Sequence, residues 1–111
     1  MARVDNYDQR IGGSGRLYKP EGLAHLSQAH VWVIGIGGVG SWVVEALARS
    51  GVGQITMIDM DDICVTNINR QLPALSGNIG KLKTEVMAER VKLINPECVV
   101  NIIDDFISPD N

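Results

Sequence analysis

Three short, continuous apolar runs alternate along this chain with two stretches whose apolar residues recur at helical spacing. The first run, residues 30–35 (HVWVIG), is β-branched and aromatic and leads directly into glycines, which predicts a buried strand. Val39, Val43, Ala46 and Leu47 follow at helical spacing, with Glu45 and Arg49 as an exposed i, i+4 pair. Gly51 stands where a glycine closes a helix. A second strand is predicted over residues 54–60 (QITMIDM), ending in acid. Residues 61–80 are polar and irregular, broken by Pro73, Gly77 and Gly80. Over residues 81–95, Leu82, Val86 and Leu93 mark one stripe and Met87, Val91 and Ile94 its neighbour, a helix that Pro96 ends. The third strand is predicted over residues 98–104 (CVVNIID). The order β-α-β-α-β with unbroken apolar strands specifies the α/β class. It predicts parallel pairing under helical cover, the Rossmann-like βαβαβ half of a doubly wound parallel sheet, truncated.

Outside that unit the signals are weaker. Residues 1–19 show no sustained periodicity and hold Gly12, Gly13 and Gly15 between Arg10 and Arg16. They predict a mobile N-terminal arm, leaving residues 20–111 as the N-terminal half of a nucleotide-binding domain. Pro20 suits the first turn of a short helix reaching about Gln28. Ser108, Pro109 and Asp110 have the form of a helix start, so a piece of a longer protein is expected. A half-sheet ordered 3-2-1 leaves its first strand without a neighbour, which predicts a homodimer or a swapped assembly. Trp32 and Trp42 are assigned to packing, and Met57, Met60 and Met87 to apolar faces. Cys64, Cys98, His25 and His30 are read as structural rather than catalytic.

Composition removes several function classes. A chain of 111 residues and 12.0 kDa has room for one domain. A hydrophobic fraction of 45% and mean hydropathy of +0.07 argue against disorder. Residues 31–44 are uncharged but interrupted by four glycines, too short and broken for a membrane span. The N-terminus lacks a secretory apolar stretch, and two cysteines make neither a disulfide framework nor a metal-ligand spacing; a cytoplasmic setting is expected. The net charge of −3 gives no general grip on nucleic acid.

The chemistry is concentrated in glycine. Residues 35–41 (GIGGVGS) leave the first strand and open the first helix, where Gly35, Gly37, Gly38 and Gly40 permit a tight turn and close approach of phosphate to bare backbone. The helix N-terminus adds free N–H groups and the positive end of its dipole. Asp59 closes the second strand 19 positions beyond Gly40, where an acid accepts hydrogen bonds from ribose hydroxyls of NAD or ATP alike. Asp61 points the same way if the strand stays extended.

The segment DMDDICVTNINRQ from Asp59, with GKLK from Gly80, joins the glycine loop in a pattern that resembles the ubiquitin-activating-enzyme-like (ThiF/MoeB-type) adenylyltransferases. Within that family the likeness extends to the tRNA-modifying branch through QRIGGSGRLY, VIGIGGVGSWVVEALARSGVG and GKLKTEVMAERVKLINPEC. The resemblance implies ATP binding and adenylation of a carboxylate, with closure of a threonylcarbamoyl side chain on tRNA into a cyclic form. It implies that Arg70 and Lys83 hold the triphosphate, that Asn67 hydrogen-bonds the nucleotide, and that Arg10 reaches the phosphates, often from a partner subunit. The family's magnesium-associated aspartate would lie beyond Asn111, so the fragment by itself is expected to be inactive. Two other readings use the same residues: a nicotinamide-binding oxidoreductase domain, and an adenylyltransferase for a ubiquitin-like sulfur carrier. A third is an interaction module that recruits a partner along its bare sheet edge. Arg70 and Lys83 separate the adenylating readings from the oxidoreductase, since hydride transfer needs no triphosphate clamp.

Overall fold

The apolar runs pair side by side in a computed structural model that describes residues 6–11 and 15–109. Two N-terminal helices, α1 (Tyr7–Ile11) and α2 (Gly15–Gln28), lead into β1 (His30–Ile34), α3 (Gly40–Arg49), β2 (Gln54–Ile58), α4 (Lys83–Ile94) and β3 (Val99–Ile103). The sheet is parallel throughout in the order β1-β2-β3, with Trp32, Thr56 and Asn101 in one row. That is the half-sheet the sequence predicts, with β2 central. The ladders run past the strand ends: Gly35 N donates to Ile58 O and Asp59 N to Ile103 O.

Side chains alternate across each strand. Val33, Ile55 and Met57 enter one core with Val44 and Ala48 of α3 and Met87 and Val91 of α4. The opposite face leaves Trp32, Ile34, Val99 and Ile103 exposed, so helical cover lies on one side only among the described residues. This corrects several expectations. Trp32 and Trp42 are each about half exposed, and Met60, unlike Met57 and Met87, lies in the open. The inward stripe of α3 is Ser41, Val44, Glu45 and Ala48, while Val39 and Val43 face outward. Leu93 likewise faces solvent. Apolar residues occur on both sides of α3, and periodicity alone does not choose between them.

Part of the N-terminal arm is also structured. Tyr7 and Ile11 are buried, Ile11 against Gly51, which follows α3 with φ +89. Lys19 (φ 62, ψ 167) interrupts α2, so the helix restarts at Pro20 as the sequence predicts. Gly12, Gly13 and residues 1–5 lie outside the described residues. At the other end Ser108 and Pro109 are not helical, and Asp110 lies outside the description.

Glu45 is not the exposed partner the sequence suggests. It is buried and accepts from Arg49 Nε at 2.8 Å and from Arg90 Nε at 2.6 Å, clamping α3 to α4. Hydrogen bonding from Arg90, opposed by burial and aided by Arg49, holds its carboxyl below the ordinary value of 4.5. Its contribution is therefore complete above that value and lost as pH falls through the lowered one. Glu45→Gln should cost about 1 kcal/mol at pH 7, allowing for exposed guanidinium groups. Urea melts of wild type and variant should converge in acid; a gap persisting there would assign the effect to packing.

Candidate functional site

The glycine loop joins β1 to α3 at the carboxyl end of the sheet, where open α/β sheets bind ligands. Gly35 takes φ +87, a turn that side chains rarely adopt, and aims the chain back towards α3. The amides of Gly37, Gly38 and Val39 donate to no acceptor among the described residues. They are therefore free N–H groups at the start of a ten-residue helix. Ser41, fully buried, donates from Oγ to Gly37 O at 2.5 Å and accepts from Leu72 N at 3.2 Å.

That last bond begins a seam between the glycine loop and the loop after β2. A Cβ built on Gly38 would lie 3.4 Å from Arg70 Cγ, so the stem of Arg70 runs along the glycine loop. Its guanidinium is exposed, with Nη1 donating to Asn69 Oδ1 at 2.8 Å and Thr66 O at 3.2 Å. Trp42 Nε1 donates to Arg70 O at 3.0 Å. Asn67 braces this turn: Oδ1 accepts from Cys64 N at 2.9 Å, and its carbonyl accepts from the amides of Arg70 and Gln71.

Asp59 is buried at the end of β2. Its Oδ2 accepts from Ile36 N at 2.7 Å and its Oδ1 from Asp61 N at 2.8 Å. The carboxylate thus ties the glycine loop to the turn beyond β2. Asp61 is half exposed, with Oδ2 3.9 Å from Lys83 Nζ. Lys83 is only 7% exposed, and its ammonium has this distant ion pair but no hydrogen bond among the described residues. A nearly buried cation so poorly partnered suits an incoming anion.

Gly35, Gly37, Gly38, Gly40, Asp59, Asp61, Asn67, Arg70 and Lys83 are thus connected through one set of contacts at one end of the sheet. Arg10 is not among them. It lies on α1, where Nη1 donates to Leu93 O at 3.0 Å and to Ile94 O at 3.4 Å, satisfying carbonyls at the end of α4. Sequence reasoning passed over Ser41 and Gln71, although both stand inside the quoted motifs. A small hydroxyl at a helix start and an amide beside an arginine are the signals that could have singled them out.

Three parallel strands with a glycine loop between β1 and α3 define an α/β domain of the Rossmann-like class. The model of the ThiF family matches residues 9–111, and the chain belongs to that family. It is 82% identical over its full length to the tRNA threonylcarbamoyladenosine dehydratase of Haemophilus influenzae, covering 42% of that protein. Over 107 residues, 96% of the chain, it is 60% identical to the Escherichia coli protein of the same name, covering 40% of it. The crystal structure of E. coli tRNA N6-threonylcarbamoyladenosine dehydratase in complex with ATP superposes with a TM-score of 0.95 at 58% identity, covering all of this chain and 46% of that one. The chain therefore spans about two fifths of the length of these curated relatives.

Proposed function

We propose that this chain is the nucleotide-binding half of an enzyme that adenylates a carboxylate with ATP, acting on threonylcarbamoyladenosine in tRNA. The observation that carries the reading is the buried, underpartnered ammonium of Lys83 in the same connected set as the free amides of Gly37–Val39. The likeness to a dehydratase solved with ATP supports it. Carboxylate activation brings two anions together: the carboxylate attacks the α-phosphate and pyrophosphate leaves. Free amides, Arg70 and Lys83 oppose that repulsion by holding the phosphates and spreading their charge, without a protein nucleophile. Asp59 keeps the loop in shape and retains oxygen lone pairs for a ribose hydroxyl.

Mg2+ accompanies the triphosphate in this reading, with its main ligand outside this fragment. Among the described residues no group of three or more His, Cys, Asp or Glu converges on a metal. The enzyme works as a homodimer in the cytoplasm, with Arg10 serving the partner's phosphates. No described helix is long and apolar enough to cross a membrane. Against a net charge of −3, the basic residues this chain brings to tRNA include Arg3, Arg10, Arg16 and Lys19.

Calorimetry of the chain with ATP and NADH tests the reading. ATP should bind more tightly, and Arg70→Ala should weaken it by roughly tenfold, the value of a charged hydrogen bond. Tighter NADH binding, indifferent to Arg70→Ala, would replace adenylation with hydride transfer.

A further inference from the structure

Gln71 completes the N-x-x-R-Q motif, yet none of the roles above uses its side chain. It is 7% exposed, and its Oε1 is buried with no hydrogen-bond partner. Most buried polar atoms are paired, because leaving one unpaired forfeits its hydration without return. The other end of the same amide faces the glycine loop: a Cβ built on Gly37 would lie 3.8 Å from Gln71 Nε2. No acceptor among the described residues takes that Nε2 donor. The backbone is held on both sides of it. Gln71 N donates to Asn67 O at 2.9 Å, and Leu72 N to Ser41 Oγ at 3.2 Å. The backbone that carries the carboxamide is therefore held, while the carboxamide's own hydrogen bonds are unspent.

We propose that Gln71 is a nucleotide-binding residue, whose Nε2 donates to the phosphate seated over Gly37, the one nearest the ribose. This rests on the nucleotide reading above and adds a residue to it. The order along the loop gives the location. Asp59 meets the loop at Ile36, Gln71 at Gly37 and Arg70 at Gly38. With the ribose at the Asp59 end, Gln71 faces the phosphate where a carboxylate would attack, and Arg70 faces the phosphates beyond it. A neutral donor at that position binds and orients the phosphate oxygen, while Arg70 and Lys83 supply the positive charge that opposes the repulsion between phosphate and carboxylate. Oε1 remains an acceptor that a ligand-borne hydroxyl or bound water can fill.

A residue kept for binding at the expense of an unpaired atom has a distinctive signature. Gln71→Met preserves length and apolar stem but removes both polar atoms. It should leave the melting temperature unchanged or raised, since an unsatisfied buried oxygen disappears. It should weaken ATP and AMP by roughly tenfold and leave adenosine unaffected, because the lost bond is to phosphate. Gln71→Glu places a negative charge over Gly37 and should weaken ATP further, whereas Gln71→Asn should not restore binding, its amide being one methylene too short. The measurements are thermal melts of the chain and calorimetry with ATP, AMP and adenosine.

Wild-type affinity for ATP in Gln71→Met would overturn the assignment, as would a weakening shared equally by adenosine. A melting temperature that falls together with affinity would make Gln71 a packing residue. Failure of the wild-type chain to bind any of the three probes would instead remove the nucleotide reading itself.

Discussion

Gly40→Ala is expected to lower the melting temperature by about 10 °C or more and to abolish nucleotide binding. A Cβ at that position would lie 1.7 Å from Gly35 O and 2.9 Å from Gly35 C. Both are backbone atoms, so no side chain can move aside. Gly35 is itself held: its N–H donates to Ile58 O at 2.9 Å, and its φ of +87 sets where its carbonyl points. Relief requires either tilting α3 away from β1 or breaking the end of the β1–β2 ladder. Overpacking of this kind costs about 3 kcal/mol, which for a chain this short corresponds to at least the shift stated. Gly77→Ala is the matched control. Its Cβ meets nothing within 4 Å, and a change within about 0.5 kcal/mol is expected. Calorimetric melts of both variants check the pair; equal melting temperatures would mean that the loop is free to relax.

Asp59→Asn should destabilise the chain by about 3 kcal/mol, through loss of charged hydrogen bonds and one orphaned donor. The carboxylate accepts from two amides, one on each oxygen. Asparagine offers a single oxygen, so its NH2 must face the N–H of either Ile36 or Asp61. The Ile36 side chain is fully buried in the core, so a disturbed Ile36 amide carries the damage inward. Hydrogen exchange should accelerate at Ile36 and Asp61 ahead of β2 residues such as Ile55. Unchanged exchange and stability, with only ATP affinity reduced, would make Asp59 a ligand contact rather than a brace.

Much of this was legible in the chain. The strands were readable because HVWVI and QITMI are short, rich in β-branched and apolar residues and free of charge, although only the central β2 is buried along most of its length. The glycine loop was readable because two of its glycines answer local steric demands: Gly35 turns with φ +87, and a Cβ on Gly40 would strike Gly35 O. Other features were not. Glu45 reads as a surface charge until Arg90, 45 residues away, is brought beside it. Arg10 reads as a free basic residue until α1 docks and its guanidinium meets the carbonyls ending α4. Neither partnership leaves a mark in local spacing.

By itself, then, the sequence determined the order of elements, the parallel pairing and the loop that presents bare amides, because these depend on the chemistry of neighbours a few positions apart. Tertiary structure decided which stripe of α3 turns inward, that Lys83 is nearly buried, and that Arg70 and Gln71 lie against Gly38 and Gly37. Those outcomes follow from where the crossover between β2 and α4 carries the chain in space, and contact between two loops distant in sequence exists only once the sheet has assembled between them.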